Sequence, residues 1–325
     1  MTVQPGPPAF IVIGEALIDL LPAGDDGSYL ARPGGGPMNI AVGLARLGQP
    51  AALAARLSGD LFGSILRRHL DASGVDQRYA LAAPEPSTIA LVELAGGQAR
   101  YQFSAGGPDF RWIAGELAFL PGGARGVHFG SLASWLGPGD AAIAAAVGRL
   151  RAAGDVLVSY DPNVRPGLQP DRAAARAQVE SAIARAHVVK ASADDFQWLY
   201  GPAPLGPADH DAIARRWLDL GAGLVVLTAG GDGATAWTRA AVVVRRPAYP
   251  AVVADTVGAG DAFTSGLLDA LARRDLLGPG PVMAGLDPDA LAAVLDAAGL
   301  VAGLTCERPG ASPPWRADVD ARLSR

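Results

Sequence analysis

Short runs of β-branched and aromatic residues recur along the chain, each stopped by a glycine or a polar side chain. They alternate with longer stretches in which alanine, leucine and arginine fall at helical spacing. The first run, Phe10 to Gly14, is followed by Glu15 and by Ile18-Asp19-Leu20, which predicts a buried strand with Glu15 and Asp19 as polar groups at its end. Val127 to Gly130, Val156 to Asp161, His187 to Lys190 and Leu224 to Thr228 repeat the pattern. Asp140 to Ala153, Asp171 to Ala186 and Asp209 to Leu220 supply helices between them. Strands apolar on both faces, separated by helices, predict an α/β fold: three layers, with a mostly parallel central sheet covered on both sides. Ligands bind such a sheet beyond the carboxyl ends of its strands.

Two segments depart from this alternation. Thr88 to Leu94 and Arg100 to Phe103 read as a hairpin closed by Gly96-Gly97, and Ala16 to Arg32 is partly extended. Together they predict a small β lid, from about 16–36 and 86–110, inserted in a single domain spanning 10–325 behind a loose tail at 1–9. Pro202 to Pro207 and the Gly/Pro-rich Leu276 to Pro288 are connections, the latter before the last helix.

Composition narrows the function. The 325 residues are 50% hydrophobic, enough for a substantial core. A net charge of -5, with Lys190 the only lysine among 27 basic residues, gives no field for a polyanion, so nucleic acid is not an expected partner. Cys306 is the one cysteine and has no partner for an intramolecular disulfide, which fits a reducing compartment. Met1 to Pro8 lacks the basic start and apolar run of a signal peptide, and Ala290 to Cys306 is interrupted by Asp296 and rich in small residues, so it reads as a core helix rather than a membrane span. The expectation is a soluble, cytoplasmic protein.

Chemistry-bearing runs lie where strands end. Asp255-Thr256-Val257-Gly258-Ala259-Gly260-Asp261 leads into an apolar helical stretch from Ala262 to Leu268. Small residues there leave backbone N–H groups open at a helix N-terminus, where an anion such as phosphate is attracted. Asp261 is placed to take a proton from a substrate hydroxyl, with a pKa expected to be held low by that N-terminus, or else it simply caps a glycine turn. Gly34-Gly35-Gly36-Pro37-Met38-Asn39 precedes a predicted helix from Ile40 to Leu47 and suits either a hydroxylated ligand or a helix entry. Asp161-Pro162-Asn163-Val164-Arg165-Pro166 is a Pro-bounded turn, with Arg165 able to neutralise phosphate charge. A Gly-x4-Gly-Lys-Ser/Thr phosphate loop is absent, and the first strand is not followed by Gly-x-Gly-x-x-Gly, which argues against a dinucleotide-binding oxidoreductase.

Taken in order from Phe10 to about Ala311, these runs resemble the ribokinase-like, PfkB-type carbohydrate kinases, and among them the fructokinases most. The resemblance implies a ribokinase-like three-layer fold and an ATP-dependent sugar kinase. Asp261 becomes the catalytic base, Gly258, Ala259 and Gly260 the anion hole, and Arg165 a catalytic cation. Asp19, Gly34, Gly35, Asn39, Phe103, Asp161 and Asn163 become substrate-binding residues. Lys190, Ser192, Thr228, Gly230 and Gly233 are assigned to the nucleotide, Asp195 to outer-shell Mg2+, and Asp255, near Cys306 to Ala311, to a monovalent cation such as K+. The implied lid closes to exclude water and is also a candidate surface for pairing two copies.

Departures bear on specificity. Ser192 and Asp195 stand where the family has Asn and Glu. After Phe103 come Ser104 and Ala105 in place of the aromatic-Arg pair of several fructokinase and ketodeoxygluconate kinase relatives, which favours a neutral sugar, fructose first. A nucleoside, ribose or 2-keto-3-deoxygluconate kinase and a non-catalytic sugar sensor are the alternatives, the intact Asp261 opposing the last.

Overall fold

The computed structural model describes residues 8–324 apart from 25–26, 96–97, 104–110, 114, 119, 121–122, 155, 170 and 278–285. The expected turn at Gly96-Gly97, the Ser104-Ala105 departure, and most of the N-terminal tail and of the Leu276 to Pro288 connection lie outside the described residues.

In chain order the strands are β1 (Phe10–Ile13), β2 (Leu17–Pro22), β3 (Tyr29–Gly34), β4 (Ala51–Ala54), β5 (Arg56–Ser58), β6 (Leu81–Ala83), β7 (Ile89–Ala95), β8 (Gln98–Phe103), β9 (Gly126–Gly130), β10 (Leu157–Asp161), β11 (Val188–Ser192), β12 (Leu224–Thr228), β13 (Ala234–Thr238) and β14 (Val243–Arg246). The helices are α1 (Gly36–Arg46), α2 (Leu61–Ala72), α3 (Asp140–Ala153), α4 (Arg172–Ile183), α5 (Ala193–Tyr200), α6 (Pro207–Leu220), α7 (Ala259–Arg273), α8 (Pro288–Cys306) and α9 (Arg316–Leu323). The main sheet runs β14-β13-β12-β11-β10-β9-β1-β4. It is parallel from β12 to β4 and antiparallel only at β13 and β14.

Alternation within β1 explains the layers. Phe10 and Val12 join α1, α2, α7 and α8 in one core, whereas Ile11 and Ile13 join α3 to α6 in the other. All four side chains are fully buried. Removing such side chains from water contributes roughly 1.5–3 kcal/mol each, and strands buried on both faces therefore read as continuous apolar runs. Among the described residues α8 is long and apolar enough to cross a membrane, but its Leu291, Val294 and Leu295 belong to the first core. Gly266 of α7 lies so close to it that a Cβ would fall 3.0 Å from Ala298 Cα.

A second sheet, ordered β3-β2-β7-β8, carries the segments expected to be extended. Asp19 therefore sits in β2 of this sheet, opposite Arg32, and not at the end of the first strand. β1 stops at Gly14, where a Cβ would fall 2.3 Å from Pro37 Cγ, and the chain leaves the main sheet there. Two further boundaries differ from expectation. α1 starts at Gly36, so Pro37, Met38 and Asn39 are already helical, Pro sitting in the first turn where its missing N–H costs nothing. The Leu276 to Pro288 connection precedes α8, which is followed by α9, whose Arg316 reaches back to Asp269 on α7.

Candidate active site

One cleft gathers ten of the residues singled out in the sequence: Asp19, Gly35, Asn39, Phe103, Asn163, Arg165, Lys190, Gly258, Gly260 and Asp261. Helix packing sets its centre. Asn39 and Gly43 lie one turn apart on α1, as do Asp261 and Ser265 on α7. A Cβ at Gly43 would fall 2.3 Å from Ser265 Oγ, so glycine lets the two helices meet almost backbone to side chain. One turn towards their N-termini, Asn39 Nδ2 donates to Asp261 Oδ2 at 2.8 Å.

α7 is N-capped by Gly258, whose φ of 77° is left-handed and whose Cβ would fall 2.6 Å from Ala311 Cβ. Glycine is required there on both counts. The first N–H groups of a helix have no intrahelical acceptor and present a partial positive charge. Directly beneath, a Cβ on Gly260 would fall 3.1 Å from Lys190 Nζ. The only lysine of the chain thus adds its charge to the helix N-terminus. Its Nζ donates to Asp161 Oδ2 at 3.0 Å, and although burial works against the ammonium, the carboxylates of Asp161, Asp195 and Asp261 raise its pKa.

Asp161 was expected to line the cleft, and it does not. It is buried beneath, held by Lys190, by Thr264 Oγ1 at 3.4 Å and by the Asn163 N–H at 3.2 Å. Asp195 also differs from expectation: its oxygens accept from the N–H and Oγ of Ser192 and from the Val164 N–H, at 2.7–2.8 Å. With Ser192 it forms the capping box of α5 and braces the Asp161 to Arg165 turn. Their carboxylates are committed to protein donors, and among the described residues no group of three or more His, Cys, Asp or Glu is arranged to hold a metal. A divalent ion therefore fits this donor set only when carried in by phosphate oxygens, the usual habit of Mg2+.

Asp261 departs from its expected low pKa. Burial dominates, with the Asn39 hydrogen bond opposing it and the Asp161 charge adding to it, and the carboxyl is pushed up to about 6. Asp19 is likewise pushed up to about 6 by burial and by Asp261, with Arg165 opposing. Gly34 leaves room for the Asp19 side chain and Gly35 for the backbone at Glu15. A Cβ at Gly34 would fall 2.1 Å from Asp19 Oδ2, and at Gly35, where φ is 105°, it would fall 2.8 Å from the Glu15 carbonyl oxygen.

Further along the carboxyl edge, Ser192 and Thr228 are paired in register on β11 and β12, and a short turn at Gly230–Asp232 follows. Gly230 and Gly231 face open space, whereas a Cβ at Gly233 would fall 2.1 Å from the Arg246 carbonyl oxygen. Gly233 is thus a packing glycine and not a ligand-facing one. Asp255 accepts from the Val257 N–H at 3.0 Å and from the Gly310 N–H at 2.8 Å, tying the approach to α7 to the segment after α8.

The cleft wall is completed by Leu17, Ser131 and Leu132, which sequence reasoning missed, and by Glu15, Gly36 and Val257, which it passed over without a role. Glu15 and Ser131 each follow a predicted strand end, the one signal that could have found them.

With this geometry in place, the chain matches the family described as pfkB family carbohydrate kinase over residues 9–318. It belongs to that family. This pfkB-family kinase is 39% identical over 285 residues to a fructokinase of Rhizobium leguminosarum bv. trifolii, covering 86% of this chain and 84% of the relative. Among solved structures, the Xylella fastidiosa fructokinase with bound ATP superposes with a TM-score of 0.83 at 25% identity, covering 98% and 99% of the two chains. A double mutant of the Vibrio cholerae O395 fructokinase, bound to fructose, ADP and potassium ion, superposes at 0.80 with 27% identity, covering 98% and 99%. The ribokinase-like three-layer fold and the ATP-dependent sugar kinase class expected from the sequence are both upheld.

Proposed function

We propose that this kinase phosphorylates fructose from MgATP in the cytoplasm, with Asp261 as the general base. The observation that carries the reading is the convergence on one cleft of a carboxylate raised to about 6, a helix N-terminus and Lys190. The hydroxyl oxygen of the sugar attacks the γ-phosphorus while its proton passes to the Asp261 carboxylate, and the bond from phosphorus to the bridging oxygen breaks to release ADP. Charge on the transferring group is met by the N–H groups of Gly258 and Gly260, by Lys190 beneath them and by Arg165, whereas the N–H of Ala259 donates to the Thr256 carbonyl at 3.2 Å. Asp19, Asn39 and Asn163 orient the hydroxyls, and Phe103 and Leu17 supply apolar walls. The adenosine lies over Thr228 to Gly230, where the open glycines admit it. Mg2+ bound to the phosphates supplies charge neutralisation, and K+ at the Asp255 and Cys306 to Ala311 junction would steady the approach to α7. Asp19, Asp261 and Glu15 give the sugar end a surplus of carboxylates that disfavours an acidic sugar, and the fructokinase relatives make fructose the first choice.

ADP release from MgATP across fructose, ribose, 2-keto-3-deoxygluconate and nucleosides tests the substrate. The expected result is a kcat/KM for fructose at least about tenfold above the others, a gap of some 1.4 kcal/mol. Higher kcat/KM with a nucleoside or an acidic sugar would replace the reading. Binding of fructose without turnover would make the protein a sensor.

A further inference from the structure

Glu15 is a buried carboxylate in the cleft wall that takes no part in the phosphoryl transfer described above. Its Oε2 accepts from the Ala133 N–H at 3.1 Å, and the Ser131 hydroxyl lies beside it; burial raises the pKa of the carboxyl, and these two groups oppose the rise. Ser131 has a φ of 53° and a ψ of -156°, a conformation that a residue with a Cβ adopts only when its surroundings impose it. The Ser131 Oγ in turn accepts from Asn163 Nδ2 at 3.0 Å, and Asn163 is also left-handed, at a φ of 42°. Asn163 Oδ1 accepts from Arg165 Nη1 at 2.6 Å. Contacts therefore lead from Glu15 through two strained residues to the guanidinium whose charge reaches both Asp261 and Asp19. They pass beside the base: a Cβ at Gly36 would fall 3.1 Å from Asn163 Nδ2 and 3.3 Å from Asp261 Oδ1.

We propose that Glu15 is a positioning residue for phosphoryl transfer, acting through Ser131 and Asn163 to hold Arg165 over the reacting groups. The proposal rests on the kinase reading. A carboxylate suits the task because two donors, the Ser131 hydroxyl and the Ala133 N–H, converge on it. Glutamine keeps the size but offers one oxygen, and its NH2 group meets one of those donors head on. The Ser131 turn is then released, and with it the Asn163 side chain.

The test is a double-mutant cycle on steady-state ADP release with the best sugar, using parent, Glu15→Gln, Arg165→Gln and the double variant, each checked for a cooperative thermal transition. Glu15→Gln is expected to lower kcat by about 10²-fold, the scale of a misplaced catalytic group, with the KM for ATP changed less than about threefold. The double variant is expected to be no slower than Arg165→Gln alone, since both remove one function. A full kcat in a cooperatively melting Glu15→Gln variant overturns the proposal, as does a cycle in which the two losses multiply. If Glu15→Gln does not melt cooperatively, Ser131→Ala breaks the same link from its other side, and an unchanged kcat there overturns it equally. A parent without turnover on any sugar overturns the kinase reading itself and this proposal with it.

Discussion

At the scale of single residues, the pKa of Asp261 decides most. A carboxyl raised to about 6 is still ionised at pH 7.5 yet more basic than an exposed aspartate, close to what a general base needs. The kcat/KM of the parent is expected to fall as pH drops through about 6, and Asp261→Asn to lose about 10²–10⁴-fold in kcat at every pH. A parent profile flat down to pH 5 would remove Asp261 from that role. The same shift has a stability sign. Folded Asp261 and Asp19 bind their protons more tightly than the unfolded chain, whose value is 3.8, so their favourable contribution is full below 3.8 and lost as pH rises through about 6. Melting curves should therefore show Asp261→Asn gaining on the parent between these limits. The candidate base could be picked out in the sequence because small residues and a carboxylate at a helix start carry a local signal. Its pKa could not, because Gly36 packed beside it and the Asp161 charge that helps to raise it come from far away in the chain.

Among the elements, the contact between α1 and α7 controls the site. Gly43→Ala would put a Cβ 2.3 Å from Ser265 Oγ and 2.7 Å from Ser265 Cβ, forcing the helices apart at the turn next to the Asn39 to Asp261 hydrogen bond. The expected outcome is at least a tenfold loss of kcat/KM, the scale of about 1.4 kcal/mol in transition-state stabilisation, together with a lower Tm. Ser265→Gly removes both opposing atoms, so adding it to Gly43→Ala should restore most of the activity. A double variant no better than the single one would show that the helix spacing is not what Gly43 protects. Strands and helices were read well wherever one period ruled a whole segment, as in α3, found at Asp140–Ala153 as expected. Asn39 was placed ahead of its helix because three glycines and a proline look like a loop, whereas Gly35 as N-cap and Pro37 in the first turn make them a helix start. Ser192 and Asp195 likewise look like ligands in the sequence, but their spacing of three is equally that of a capping box, and the reciprocal hydrogen bonds decide for the box.

For the molecule as a whole, the cleft depends on how the second sheet is held, since Leu17, Asp19 and Phe103 come from that sheet and the proposed anion-binding groups do not. Arg56, at the start of β5, which pairs only with β6 in a small sheet of its own, ties down the chain on either side of β7 and β8. One of its guanidinium nitrogens meets Glu85, on the way into β7, at 3.4 Å, and another meets Glu116, beyond β8. Only 9% of the Arg56 side chain is exposed, against 22% and 21% for the glutamates, so the cation is buried while its partners keep some water. Arg56→Met preserves the bulk of the side chain and leaves two carboxylates facing each other without a cation. Breaking a fully buried pair costs about 3–5 kcal/mol, and the partial exposure of the glutamates reduces this to about 1–3 kcal/mol. The loss falls on the two connections of the second sheet, so the cleft should close less well over ATP and sugar. The expected result is a higher KM for the sugar and faster ATP hydrolysis in its absence, because a loosely covered cleft admits water to the γ-phosphoryl group. ADP release measured with and without sugar tells the two effects apart: a variant that is less stable but keeps both the parent KM and the parent background hydrolysis would show that Arg56 supports the fold without governing closure.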